Sequence, residues 1–112
     1  MTAPDLRTAF VLEMPQEAAD GAGGVREAWV ALGTIWGELR GGNGGETLQG
    51  EIAVARATHS ILVRGAPQGA PSRPTTRQRL RRGARVFRVI SVREADSAGR
   101  FLECRVIEEE TA

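Results

Sequence analysis

The segment RVFRVISVR at residues 85–93 decides the fold, because it is the most apolar stretch of the chain that also fits an extended conformation. Successive side chains of a strand point to opposite faces. The apolar residues of this segment occupy both faces, with Phe87 and Val89 on one and Val86, Ile90 and Val92 on the other. The segment therefore predicts a strand of the core.

Other strands are indicated on both sides of this segment. Residues 58–64 (THSILVR) and residues 100–107 alternate apolar with polar side chains, the pattern of a strand with one buried face. Residues 9–14 contain a short apolar run that fits a first strand, which Pro15 closes. Residues 77–82, if extended, form an edge strand with a row of guanidinium groups, which discourages unwanted pairing.

Two segments are ambiguous. Residues 25–40 (VREAWVALGTIWGELR) fit an extended strand that bends at Gly33, but a helix remains the alternative. Residues 46–57 fit a short amphipathic helix with Leu48 and Ile52 on one face. Gly50 would cost that helix about 1 kcal/mol relative to alanine.

Loops separate the predicted strands. Residues 15–24 are turn-rich, with the tightest point at Asp20-Gly21, and GGNGG at residues 41–45 cannot hold regular structure. Residues 65–76 contain three prolines and two glycines and predict a long exposed loop. Five or six short strands with at most one helix indicate a mainly β protein, either a small antiparallel β-barrel or a sandwich. With 112 residues, the chain is expected to form a single domain over residues 1–112.

Charge is strongly segregated along the chain. No acidic residue lies between Glu51 and Glu94, whereas that interval holds ten arginines. Residues 1–51 hold three arginines against eight carboxylates, and residues 94–112 hold two against six. All fifteen cationic side chains are arginine, which a genome bias toward arginine codons explains better than a need for bidentate pairing does.

Three interpretations of the arginine run are open. The first is a solvated face whose charges protect a strand edge from unwanted pairing. The second is a surface that binds the phosphates of nucleic acid, and the third is a contact between subunits. In the last case the arginines would pair with acidic residues of a neighbouring copy, namely Glu13, Glu17, Asp20, Glu27 or the tail Glu108–Glu110. The near-cancellation of charge over the whole chain, +1 in total, favours subunit contact.

Catalytic signatures are weak. His59 is the only histidine and Ser60 follows it, but neighbouring strand residues point to opposite faces, so the two cannot form a dyad. Residues 41–45 are not a phosphate loop, because no lysine with serine or threonine follows them. A hydrolase-like enzyme is thus the weakest hypothesis, and we expect neither a catalytic site nor a cofactor or metal.

The remaining features constrain the class of protein. Cys104 is the only cysteine, which excludes an intramolecular disulfide, and it is expected to be buried as a small apolar residue. Trp29 and Trp36 are interpreted as core anchors. No apolar run approaches the roughly twenty residues of a membrane span, and residues 1–7 lack the order of a signal peptide. We expect a soluble protein made in the cytoplasm.

An ordered set of short motifs covers nearly the whole chain. They are DGAGG followed by VREAW at residues 20–29, TIWGEL at 34–39, ATHSILVR at 57–64, GARVFRVISV at 83–92 and LEC at 102–104. In this order they resemble the head–tail joining proteins of tailed phages, also called head-closure or stopper proteins. The composition, rich in arginine, alanine and glycine, indicates a high-GC bacterial host, and hence a prophage or a gene transfer agent as the source.

The resemblance implies a small β-barrel with a long loop and a short helix inserted between strands. Such proteins form a ring below the portal and adaptor rings in the neck of the particle, hold packaged double-stranded DNA inside, and dock the tail. A hexamer is expected, with a dodecamer as the alternative, between the portal–adaptor ring above and the tail terminator or tail tube below. The resemblance places the chain in a virion or virion-like particle, assembled in the bacterial cytoplasm, with no membrane partner.

The resemblance also implies site residues. Residues 41–50 correspond to the inserted loop that projects toward the channel as a gate. The predicted channel-loop residues are Arg40, Gly41, Gly42, Asn43, Gly44, Gly45 and Glu46. The predicted subunit or ring contacts are Arg77, Arg79, Arg81, Arg82, Arg85, Glu108, Glu109 and Glu110.

Overall fold

The structure, a computed structural model, describes residues 4–41 and 58–109 of the chain. Its strands are β1 (Thr8–Ala19), β2 (Val25–Gly41), β3 (Thr58–Arg64), β4 (Arg79–Arg82), β5 (Arg85–Glu94) and β6 (Phe101–Glu109). All neighbours are antiparallel, in the order β1-β2-β3-β6-β5-β4, and β4 pairs with β1 to close the barrel. The predicted mainly β, antiparallel barrel is confirmed, and the sandwich alternative is excluded.

Inward-facing side chains of all six strands fill the barrel. The rings of Phe10 and Phe87 meet edge to face at its centre, with centroids 6.1 Å apart. The buried apolar core consists of Phe10, Leu12, Ile61, Val63, Leu80, Phe87, Val89, Leu102, Cys104 and Val106. The period-two patterns of the sequence therefore indicated the correct inward faces of β3 and β6. In β5 the expected alternation fails at Ile90, because a register shift between Val89 and Ser91 leaves Ile90 exposed and brings Val92 to the core beside Phe87 and Val89.

Residues 25–40, for which the sequence fits either a strand or a helix, belong to a single strand, β2. Its register against β1 shifts by one residue at Leu32, which has no opposite residue between the pairs Leu12↔Gly33 and Glu13↔Ala31. Gly33 has a φ of 155°, which residues with a side chain rarely adopt. The expected bend at Gly33 thus coincides with a β-bulge.

Two expectations were wrong, one about the end of β1 and one about the position of β4 in the sheet. Pro15 does not close β1, which continues to Ala19, and the turn is confined to the residues between β1 and β2. Proline is tolerated there because no other described strand pairs with this part of β1. β4 is not an edge strand either, because it pairs with β1 on one side and β5 on the other.

The β1–β2 hairpin extends beyond the barrel wall. β4 pairs only with Val11–Glu13 of β1, and β3 pairs only with Gly37–Gly41 of β2. Residues 14–32 therefore form a two-stranded projection, here named the arm, in a molecule whose longest dimension is 55 Å. Gly41 lies at the other end of β2, beside His59 of β3, so the arm tip and Gly41 mark opposite ends of this strand.

Some predicted features lie outside the described residues. They are the channel-loop residues Gly42–Glu46, the possible helix within residues 46–57, and Glu110. The proline-rich connection at residues 65–76 is described and is built from short turns. Within it Pro74 is buried, and Arg73 Nη1 donates to the carbonyl of Ala66 at 2.9 Å.

Candidate functional site

An ionic cluster joins the root of the arm to β4. Glu13 is only 5% exposed and accepts from Arg79 Nε at 2.7 Å and from Arg81 Nε at 2.8 Å, one arginine on each carboxylate oxygen. The Arg79 guanidinium also lies over the ring of Trp29, 4.1 Å from its centroid. Trp29 therefore covers this ion pair on the outside of the barrel. Trp36 is 55% exposed, so neither tryptophan is the core anchor that the sequence indicated.

The chemistry of this cluster keeps Glu13 ionised. Burial alone would raise the pKa of Glu13, but the hydrogen bonds from Arg81 and Arg79 outweigh it and hold the pKa below its ordinary value. Two charge-assisted bonds to one buried carboxylate fix the position of β4 against β1. The cluster thus sets the point at which the hairpin leaves the barrel.

A second polar cluster caps the core at the opposite end. Arg85 binds Glu108 with both Nε and Nη2, at 2.8 and 2.9 Å, and the hydrogen bonds from Arg85 lower the pKa of Glu108. His59 Nε2 lies 3.2 Å from the same carboxylate, and its ring meets Phe87 edge to face. His59 also pairs with Gly41, so this cluster lies where the β2–β3 connection begins.

The geometry of His59 and Ser60 agrees with the expectation that they cannot form a dyad. His59 contacts the core through Phe87, whereas Ser60 Oγ donates to Glu103 Oε2 at 2.8 Å on the outer face. Arg93 donates to the other oxygen of Glu103, at 2.9 Å. His59 Nδ1 is buried without a hydrogen-bond partner among the described residues.

The predicted contact residues are divided by the structure into two groups. Four of them, Arg79, Arg81, Arg85 and Glu108, already form ion pairs within the chain, and Glu109 lies 3.6 Å from Arg88. Arg77 and Arg82 are exposed, and in residues 4–41 and 58–109 neither has a carboxylate within 4.0 Å. Arg40, the first predicted channel-loop residue, pairs with Glu38 at 3.2 Å. Arg40 and Gly41 both lie in β2, so the expectation that Gly41 has no regular structure was wrong.

Sequence reasoning missed the anchoring of the arm. The two arginines and Glu13 are separated by 66 and 68 residues, and their contact depends on β1 and β4 being neighbours, which no local pattern records. One signal was available, since Glu13 is a lone carboxylate directly after an apolar run that ends in Leu12.

Within the described ranges, no group of three or more histidine, cysteine, aspartate or glutamate side chains is placed to hold a metal ion. The same part of the chain contains no helix long and apolar enough to cross a membrane. What it does present is a closed barrel, an arm fixed by buried ion pairs, and exposed charge. These features define the class of the protein as a small antiparallel β-barrel with a projecting hairpin.

The comparisons identify the family. The model of the phage head completion protein family matches residues 1–110, and the chain belongs to this family. Family membership assigns it a structural role in a phage-like head, and confirms the resemblance found in the sequence motifs. No curated protein matches the chain.

A solved structure is also similar over nearly the full length. A chain of the "Virion of native gene transfer agent (GTA) particle" shares 43% sequence identity with a TM-score of 0.80. The match covers 98% of this chain and 100% of that chain. The fold is therefore that of a subunit found in an assembled particle.

Proposed function

We propose that this protein is a connector subunit that forms a ring in the neck of a phage-like particle, joins the portal–adaptor ring to the tail, and retains packaged DNA. The observation that carries the proposal is the full-length similarity to a chain of a gene transfer agent virion, at 43% identity. Membership of the head completion family supports the same role. The protein acts in the particle itself and needs no cofactor for this task.

The shape of the chain supports a connector. A ring subunit must contact its neighbours and also reach toward the channel, and these tasks need separate surfaces. The arm and the β2–β3 connection leave the barrel at opposite ends of β2, which is 17 residues long. In the proposed ring, residues 40–46 line the channel from one end of the barrel while the arm meets other chains from the opposite end.

The ion pairs favour a connector over a nucleic-acid-binding barrel. A surface that neutralises phosphates needs guanidinium groups that are free to leave their own carboxylates. Arg79 and Arg81 share the buried Glu13, and Arg85 is bidentate on Glu108. Only the exposed remainder of the arginine run is available to a polyanion. We therefore propose that the contact with DNA is made by the channel loop of the assembled ring.

Particles produced without this protein test the proposal. We expect full heads without tails that lose their DNA, seen by electron microscopy and by loss of nuclease-protected DNA. Deletion of residues 42–45, which spares Gly41 and its pairing with His59, should give particles that leak DNA. A same-length replacement by alanine and serine is the control, because it keeps the reach of the loop. Tailed particles with normal DNA content in the absence of the protein would refute the proposal.

A further inference from the structure

The arm has unsatisfied pairing capacity. In the described part of the chain, β3 covers β2 only from Gly37 to Gly41, so residues 25–36 of β2 have one edge without a neighbouring strand. That stretch contains no proline to blunt it. A long unpaired edge is a template for contact with another chain, and single chains usually cover or protect it.

The arm also exposes apolar side chains. Val25 is 65% exposed, Leu32 44% and Val30 38%, although β-branched and large apolar residues are the type that strands bury. Leu32 is the bulged residue, and the bulge turns it out of the ladder at the root of the arm. These exposed apolar side chains on a projecting element are available for contact with another chain.

The acidic side chains of the arm indicate the chemistry of the partner. Glu17 and Glu27 are directly opposite each other across the β1–β2 ladder, and both are exposed. Like charges in this position destabilise a hairpin, yet within residues 4–41 and 58–109 no arginine lies within 4.0 Å of either carboxylate. A guanidinium from another chain, placed between the two carboxylates, would remove this repulsion and form charge-assisted hydrogen bonds.

The same chain carries the complementary groups. After the internal ion pairs are formed, Arg77 before β4 and Arg82 at its end remain exposed and without a carboxylate in the described structure. We propose that the arm of one copy lies against the barrel of the next, with Glu17 and Glu27 around Arg77 or Arg82 of that copy. The contact is heterologous, because different surfaces meet, and repeating it generates a closed ring when the rotation between successive copies closes.

This inference rests on the proposed ring and specifies how neighbouring subunits hold one another. Its test is Glu27→Arg. This substitution places opposite charges across the hairpin and should keep or increase the stability of the arm. It also sets an arginine against the arginine of the next copy, and we expect the yield of tailed, DNA-containing particles to fall by about tenfold or more. Glu94→Arg is the matched control, since Glu94 is exposed on β5 and has no ion pair among the described residues.

Rescue identifies the neighbour. Adding Arg77→Glu or Arg82→Glu to Glu27→Arg should restore particle yield, because the charge pair is then reversed between copies. Disulfide crosslinking of particles carrying Glu27→Cys with Arg77→Cys or Arg82→Cys should give a ladder of multimers, while each single substitution gives none. Buried Cys104 does not compete in this reaction.

The outcomes separate the two proposals. If particles need the protein but Glu27→Arg assembles as well as Glu94→Arg and no ladder forms, the arm contact is wrong and the connector role stands. If particles form normally without the protein, the connector role fails. Loss of assembly by Glu27→Arg that neither reversal at Arg77 nor at Arg82 restores, without crosslinks, also overturns the arm contact.

Discussion

Arg79 and Glu13 are directly opposite each other across the β1–β4 ladder, where the barrel closes, and Arg79 Nε lies 2.7 Å from Glu13 Oε1. The pair joins two parts of the chain that local sequence does not connect, and Trp29 covers it from outside. A buried carboxylate with two arginines is costly to desolvate but more costly to leave half paired. The pair lies where β4 joins β1 to close the barrel and where the arm begins.

Glu13→Gln should destabilise the protein by about 1–3 kcal/mol, because an amide replaces a charged acceptor of two arginines. The free energy of unfolding in urea at neutral pH measures the effect. Glu17→Gln, on the same strand but exposed, should change it by less than about 0.5 kcal/mol. Equal effects of the two substitutions would show that the buried ion pair does not stabilise the barrel.

Acid should destabilise the wild-type protein more than Glu13→Gln. The pKa of Glu13 in the folded state lies below its ordinary value of 4.5. Its contribution is therefore complete above that ordinary value and disappears as the pH falls through the lower, folded-state pKa. The difference in unfolding free energy between wild type and variant should be constant above about pH 5 and shrink below about pH 4. A difference that stays constant down to acid unfolding would contradict the assignment.

The strands and the core were predictable because their signal is local. Alternation in residues 58–64 and 100–107 identifies the inward faces of β3 and β6 without knowledge of neighbouring strands. Asp20 likewise predicts its own turn, since its Oδ1 accepts from the backbone N–H groups of Ala22 and Gly24 at 2.8 and 3.0 Å. These hydrogen bonds lower the pKa of Asp20.

The candidate site was less predictable because it depends on strand order. The segregation of charge was visible in the sequence, but it indicated contacts between copies, whereas Arg85 and Glu108 meet within one chain. The arginines that remain free to contact a neighbouring copy can be identified only once the ion pairs within the chain are known. The prediction that Pro15 ends β1 was wrong for a related reason. Proline ends a strand only where a neighbouring strand needs the N–H that proline lacks.

Gly37 and Gly41 give a direct test of close packing within one strand, as both pair with β3. A Cβ at Gly37 would lie 2.7 Å from the backbone oxygen of Leu62, whereas a Cβ at Gly41 would meet no atom of residues 4–41 and 58–109 within 4 Å. Gly37→Ala should cost about 1–3 kcal/mol of unfolding free energy, because backbone has to move. Gly41→Ala should be nearly neutral in the same denaturation experiment. If Gly37→Ala is also neutral, β2 and β3 are not as close as described.

Cys104 should resist thiol reagents for as long as the barrel stays closed. It is 0% exposed, and burial raises the pKa of its thiol to about 12, so almost no thiolate forms at neutral pH. Reaction with an excess of maleimide should proceed only at the rate of unfolding and become fast in urea. A Ser97→Cys variant gives the control, because its new thiol lies in the exposed β5–β6 turn and should react at once, leaving Cys104 unmodified. Two labels on the native variant would mean that β6 opens without global unfolding.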